Sequence, residues 1–185
     1  MNLANFFTIL RVLMIPLFMG LYYIGFPGHR LLAAFVFILA CITDWLDGHL
    51  ARKLNQSSRF GAFLDPVADK MLVTISLVIL AASYTSPWYV IPAAIIVARE
   101  IMVSALREWM AEQGQRDAVA VGMVGKVKTT FQMIAIGVLL TTDPQGPQLL
   151  WLSGYVLINI AAVLTVWSLL KYLRKAWPLL KSGMK

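Results

Sequence analysis

Six apolar stretches, nearly free of charge, succeed one another along the chain: Val12 to Phe26, Leu31 to Ile42, Met71 to Tyr84, Trp88 to Ala98, Phe131 to Leu140 and Leu149 to Leu170. Extended to about 20 residues each, such segments read as helices that cross a bilayer. The pattern predicts an all-α integral membrane protein with six transmembrane helices, over 12–26, 31–53, 60–84, 87–113, 125–141 and 148–172. Residues 173–185 are then a basic tail, and residues 1–185 form one polytopic membrane domain with no room for a soluble one. Gly25-Phe26-Pro27-Gly28, Ser86-Pro87, Gly114 and Asp143-Pro144-Gln145-Gly146-Pro147 supply the punctuation between segments. At the start, Leu3, Phe6, Phe7 and Leu10 repeat at helical spacing, while Asn5 and Thr8 lie one turn apart on another face. This predicts a short interfacial helix over 1–11, although the same pattern also reads as the start of the first span.

Composition agrees, since 59% of the residues are apolar. The formal charge of +7 could suggest a nucleic-acid partner. The basic residues instead sit in short links and at span ends, without the clustered polar face that nucleic acid requires. They are also one-sided. Arg52, Lys53, Arg59, Arg107, Arg116, Lys126 and Lys128 follow spans two and four, and Lys171, Arg174, Lys175, Lys181 and Lys185 follow span six, whereas the opposite links offer Arg30. The positive-inside rule therefore places both termini, and the junction of spans two and three, in the cytoplasm. Cys41 is the only cysteine, so an internal disulfide is impossible and the residue reads as helix packing. No basic region precedes the first apolar run, so a cleaved signal peptide is not expected.

Against this apolar background stands Asp44-x2-Asp47-Gly48-x2-Ala51-Arg52-x8-Gly61-x3-Asp65-x3-Asp69. A carboxylate at membrane depth costs roughly 2.5–3.5 kcal/mol on insertion scales, so these aspartates point to a cation, a proton path or a polar substrate. On a helix, residues 44, 47, 48 and 51 fall within about 100° of one another. Gly61, Asp65 and Asp69 form an i, i+4, i+8 row on the next helix. The short link makes the two helices an antiparallel pair on which four carboxylates can converge, with small residues leaving space between backbones. Pro66 either kinks the third helix or opens it with Asp65 as its cap. Four carboxylates suit two hard divalent cations, which can clamp a diphosphate. His29, read as a loop residue, and His49, turned away from the Asp44 face, do not make a zinc site.

A second polar set is basic. Arg99 and Arg107 lie eight residues apart on the fourth helix, and Lys126 and Lys128 open the fifth. Arginine grips phosphate oxygens bidentately and lysine acts as a point charge. The plainer alternatives are ion pairs of the arginines with Glu100, Glu108 or Glu112, and topology-setting charge for the lysines.

The run from Asp44 to Asp69 resembles the full signature of the CDP-alcohol phosphotransferases, with all eight specified residues at the family spacing and nothing inserted. Ala98-Arg99-Glu100-Ile101, Ser104-x2-Arg107-Glu108-Trp109, Gly125-Lys126-x-Lys128-Thr129 and Asn5-x2-Thr8-x2-Arg11 are similar to bacterial members that use glycerol phosphate, although Ala4 stands where proline is expected. The likeness runs from about residue 3 to residue 174. It implies a multi-pass homodimer in the bacterial cytoplasmic membrane with its active site open to the cytoplasm. It implies that Asp44, Asp47 and Asp65 ligate two divalent cations, Mg2+ or Mn2+, with Asp69 close to the metal and acting as general base. It assigns Asn5, Thr8, Gly48, Arg52, Ser58 and Gly61 to the liponucleotide CDP-diacylglycerol, and Arg99, Arg107, Lys126 and Lys128 to the phosphate of sn-glycerol 3-phosphate. The implied reaction transfers the phosphatidyl group to the 1-hydroxyl and releases CMP. Inositol phosphate, serine or phosphatidylglycerol as acceptor, or a cation-coupled transporter, are the competing readings.

Overall fold

In the computed structural model every regular element among the described residues is a helix. The structure describes residues 3–54, 59–114 and 123–183, with side chains for 8–43, 64, 66–114, 125, 127–178, 180 and 181. Six helices follow in order: α1 (Leu3–Tyr23), α2 (His29–Leu54), α3 (Arg59–Ser83), α4 (Pro87–Glu112), α5 (Met123–Thr141) and α6 (Gln148–Gly183). No strand occurs among the described residues.

Boundaries follow the local chemistry. Gly25 and Gly28 adopt φ of 79° and 86°, left-handed values that glycine reaches without a Cβ clash, and they turn the chain from α1 into α2. Ser86 is extended at the N-cap of α4, with Pro87 at its first position, where a missing N–H removes no helical bond. Between α5 and α6, Gln145 N–H donates to Asp143 Oδ1 (2.9 Å) and Gly146 N–H to the Asp143 carbonyl (2.9 Å).

The helix bounds revise three expectations and decide one alternative left open. No separate interfacial helix precedes the first span: α1 is continuous from Leu3 to Tyr23, because nothing between Leu10 and Val12 interrupts backbone bonding. The basic tail is helical as far as Gly183, since Lys171, Leu173, Arg174, Lys175 and Ala176 are all good helix formers. Pro66 lies inside α3 rather than at its first position, so Asp65 is not the cap of a helix that begins there. His29, expected in a loop, is the first residue of α2, and its Nδ1 lies 2.8 Å from the Tyr22 carbonyl.

The helices divide into two compact units. The first comprises 1–83 and 136–151, the second 84–135 and 152–185. In the first, α1 packs against α2 and α3. Met14, Ile15, Phe18 and Tyr22 form the buried stripe of α1, and Ala33, Phe37 and Ala40 that of α2. The alanines admit the Phe18 ring, whose centroid lies 6.2 Å from that of Phe37. The end of this unit away from the acidic residues is tied by Tyr22 Oη donating to Ser83 Oγ (2.9 Å) and Arg30 donating to the Thr142 carbonyl.

In the second unit the rings of Tyr84, Tyr89 and Tyr155 meet at 5.8–6.1 Å. Further along, Val103, Leu106 and Met110 pack on Tyr172 and Ala176. In both units large apolar side chains point outward, among them Leu13, Phe35, Val78, Ile91, Ile101 and Val163. Thr8, Arg11, Arg99, Lys128 and Gln132 are buried. A surface so apolar with polar groups inside suits lipid rather than water. Among the described residues three helical stretches are long and apolar enough to cross a bilayer: Pro66–Ser83, Pro87–Glu112 and Gln148–Pro178. The apolar parts of the other helices are shorter: Thr8–Tyr23, His29–Thr43 and Val127–Thr141.

Candidate active site

The acidic residues occupy two consecutive helices of the first unit. Asp44, Asp47, Gly48 and Arg52 lie on α2, and Gly61, Asp65 and Asp69 on α3. Asp47 is seven residues before the end of α2 and Asp65 six residues after the start of α3. At 1.5 Å per residue both lie about 10 Å along their helices from the four-residue link. Both helices rest on α1. The side chains of Asn5, Asp44, Asp47, Gly48, Arg52, Gly61 and Asp65 lie outside the described residues, as does Ser58 altogether. Asp69 is described and exposed. Thr8, three residues beyond Asn5, is fully buried on α1.

The basic set is drawn together in the second unit. Arg99, on α4, retains 7% exposure. Its Nη1 donates to Glu100 Oε1 (3.2 Å) and its Nη2 to Ser168 Oγ on α6 (3.0 Å). Lys128, on α5, is buried and donates to the same Glu100 oxygen. Two turns beyond Arg99, Arg107 Nη2 donates to the Tyr172 hydroxyl (3.1 Å). Both guanidinium groups stand over the Tyr172 ring, 5.7 Å and 5.3 Å from its centroid. Lys126 lies on α5, and its side chain is outside the described residues.

The ion pair anticipated as the plain explanation for Arg99 is therefore present, yet it leaves the cluster unbalanced. Arg99, Arg107 and Lys128 carry three positive charges, and among the described residues Glu100 is the carboxylate paired with Arg99 and Lys128. Nε of Arg99 and Nε of Arg107 are buried with no hydrogen-bond partner among the described residues. A buried donor without an acceptor costs about 1–3 kcal/mol, and a phosphate, rich in acceptor oxygens and negative charge, would relieve both deficits. Sequence reasoning missed Tyr172 and Ser168. Their contacts with the arginines span 65 and 69 residues, and an isolated tyrosine or serine in an apolar helix gives no periodic signal.

Elsewhere in this unit a cavity of about 600 Å3 lies between α4 and α6, lined by Trp88, Ile91, Ile95, Val163 and Trp167. Asn159 is its one polar side chain, held to the Trp88 and Tyr155 carbonyls (2.9 and 2.8 Å). Nothing lining it can accept or deliver a proton at neutral pH.

Two consecutive helices that carry aspartates one turn apart, and three buried or half-buried cations of which two stand over one tyrosine ring, suit an enzyme acting on phosphate esters at a membrane. Residues 1–167 match the CDP-alcohol phosphatidyltransferase family, and the chain belongs to it. Among curated relatives, the proteins named CDP-diacylglycerol--glycerol-3-phosphate 3-phosphatidyltransferase of Escherichia coli (strain K12) and of Salmonella typhimurium (strain LT2) are each 50% identical to it over 177 residues. The aligned region covers 95% of this chain and 94% of each relative. The same name and identity hold for the relative from Salmonella typhi.

Proposed function

We propose that this chain transfers the phosphatidyl group of CDP-diacylglycerol to the 1-hydroxyl of sn-glycerol 3-phosphate, yielding phosphatidylglycerophosphate and CMP. The observation that carries the reading is half-identity, over nearly the whole length, to relatives named for that reaction. The basic cluster gives it physical form, because a phosphorylated acceptor is what a surplus of buried cations selects over serine.

The aspartates fit a divalent-metal site by chemistry. Their donors are oxygens only, supplied one helical turn apart on each of two helices joined by a four-residue link, which suits hard cations. Mg2+ or Mn2+ ions held by Asp44, Asp47, Asp65 and Asp69 would supply Lewis-acid polarisation of the diphosphate. Asp69 takes the proton from the acceptor's 1-hydroxyl, whose oxygen forms a bond to the lipid-linked phosphorus. The bond from that phosphorus to the CMP oxygen breaks, and CMP leaves with the electron pair. Arg99, Arg107, Lys126 and Lys128 hold the acceptor's phosphate. Asn5, Thr8, Gly48, Arg52, Ser58 and Gly61 orient the cytidine nucleotide and its diphosphate. Most of the acceleration on this scheme is positioning and fixed charge.

All six helices span the cytoplasmic membrane in this reading, in a homodimer whose termini and active site face the cytoplasm. With 21, 26 and 19 residues, α1, α2 and α5 measure about 31, 39 and 28 Å, the first two long enough for a hydrocarbon core of about 30 Å and the third within about 2 Å of it. Their apolar windows are short because α2 carries its aspartates, and α5 its lysines, at one end.

The test is CMP release by the purified protein in lipid–detergent micelles. Release should require CDP-diacylglycerol, sn-glycerol 3-phosphate and a divalent cation together. Chelation should stop it and Mg2+ or Mn2+ restore it. In competition, sn-glycerol 3-phosphate should outrun inositol phosphate, serine and phosphatidylglycerol. Turnover in excess chelator would remove the metals from the scheme, and preference for another acceptor would overturn the assignment.

A further inference from the structure

One layer of the second unit holds two buried polar atoms outside the charged cluster. Gln132, on α5, is 2% exposed, and Thr165, on α6, is fully buried. Gln132 Oε1 and Thr165 Oγ1 have no hydrogen-bond partner among the described residues. Their places in the fold are related. Gln132 is one turn beyond Lys128 on the same face of α5, and Thr165 one turn before Ser168 on α6. Lys128 and Ser168 both belong to the cationic cluster, tied to it through Glu100 and Arg99.

Direction then matters. Helices α4 and α6 run parallel, since Trp88, Arg99 and Arg107 meet Asn159, Ser168 and Tyr172 in the same order. The tight turn at Asp143–Gly146 sends the chain back on itself between α5 and α6. Moving forward along α5 and backward along α6 therefore leads away from the cluster to the same side, by about 6 Å and 4.5 Å. The two residues therefore fall in one layer by their places along the helices.

We propose that Gln132 and Thr165 form a hydroxyl-reading floor beside the phosphate cluster, with Gln132 Oε1 accepting a hydrogen bond from the secondary hydroxyl of glycerol phosphate. This rests on the acceptor proposed above and adds how its carbon skeleton is read. An amide oxygen needs a donor. A phosphate dianion has none, whereas a secondary alcohol has one. The Thr165 hydroxyl can donate to that alcohol's oxygen in return. An acceptor lacking the alcohol would leave Gln132 buried and unsatisfied, which is how polar pockets reject deoxygenated analogues strongly.

The experiment compares sn-glycerol 3-phosphate with 3-hydroxypropyl phosphate, which keeps the primary hydroxyl and the phosphate but has no secondary hydroxyl. CMP release is measured for the wild type, Gln132→Met and Thr165→Val, with KM for CDP-diacylglycerol followed alongside. The wild type should prefer glycerol phosphate in kcat/KM by at least about 10-fold. Gln132→Met should bring that ratio close to one by loss on glycerol phosphate, with KM for the lipid unchanged, and Thr165→Val should lower the ratio by a smaller factor. Equal losses on both acceptors, with the ratio preserved, would mean that the two residues are structural or hold an ordered water, and would overturn the proposal. If Gln132→Met does not fold, Gln132→Asn, which shortens the reach by one methylene, decides on the same ratio. A wild type that releases CMP with neither acceptor, but does so with another, would refute the acceptor assignment itself.

Discussion

The two helical units gather charge in different ways. In the first, acidic residues come from neighbouring helices joined by a four-residue link, so they sit close in sequence and in helical phase. In the second, Lys128 reaches Glu100 across 28 residues, and Arg99 reaches Ser168 across 69. The first arrangement can be written into one short motif, whereas the second exists only after three helices have assembled. On the proposed scheme this difference is also a division of labour. The acidic residues take part in the chemical step, and the basic residues hold the acceptor. Substitutions in the first unit should therefore reduce kcat, and those in the second should raise KM for glycerol phosphate.

The largest effect expected is at Asp69. Asp69→Asn preserves size and removes proton acceptance, a loss of about 10^2–10^4-fold in kcat for a general base. Binding of CDP-diacylglycerol, followed with a non-reacting analogue, should be retained in large part, because three other aspartates still hold the ions in this scheme. A near-normal rate in this variant would deny the aspartate its role, and with it the chemical half of the division.

Next comes Glu100, which balances two cations at once. Its removal leaves Arg99 and Lys128 buried without that partner. One-sided removal from a buried pair costs roughly 3–5 kcal/mol. Glu100→Ala should show this as lower thermal stability of the purified protein. Glu100→Ala with Lys128→Ala should recover part of the loss, because the second change removes one uncompensated charge. Simple additivity would show that the contact between the two residues contributes nothing.

How much of this was legible beforehand depends on the distance over which each contact forms. Helix count and type followed from apolar runs. Ser86-Pro87 and Gly114 mark the ends of α4 because capping and left-handed turns are local chemistry. The continuity of α1 through residue 11 was one of two readings the spacing left open, and the extension of α6 through Gly183 was not drawn because lysines at a span end mark the membrane boundary and say nothing of where the helix stops. Arg99 stood out in sequence because a lone arginine in an apolar run needs an explanation. Tyr172, Ser168, Gln132 and Thr165 did not, since uncharged polar residues are common in such helices and only burial without a partner distinguishes the last two.

Arg99 and Arg107 test the binding half at moderate amplitude. Hydrogen bonds to charged groups contribute about 1.5–3 kcal/mol, so removing either arginine should raise KM for glycerol phosphate by about 10-fold or more. The effect on KM for CDP-diacylglycerol should be smaller. Arg99→Lys should recover only part, because an ammonium cannot reproduce the planar fork that spans Glu100 and Ser168. Equal rises for both substrates would make the arginines structural.

The smallest effect expected, and the sharpest test of the comparison, is at Tyr172. Its ring lies under both guanidinium groups, and its hydroxyl accepts from Arg107. Tyr172→Phe keeps the ring and removes one hydrogen bond, worth about 1 kcal/mol, so KM for glycerol phosphate should rise about five-fold with kcat nearly unchanged. Tyr172→Ala also removes the cation–π support, about 0.5–2 kcal/mol for each arginine, and opens a gap among Val103, Leu106 and Met110. It should therefore raise KM further and lower thermal stability as well. The separation between these two variants is informative, because packing and phosphate binding meet at this side chain and only the phenylalanine isolates the latter. A phenylalanine variant that lost kcat while KM for glycerol phosphate stayed fixed would place Tyr172 in the chemical step, and the division between the acidic and basic residues would fail there.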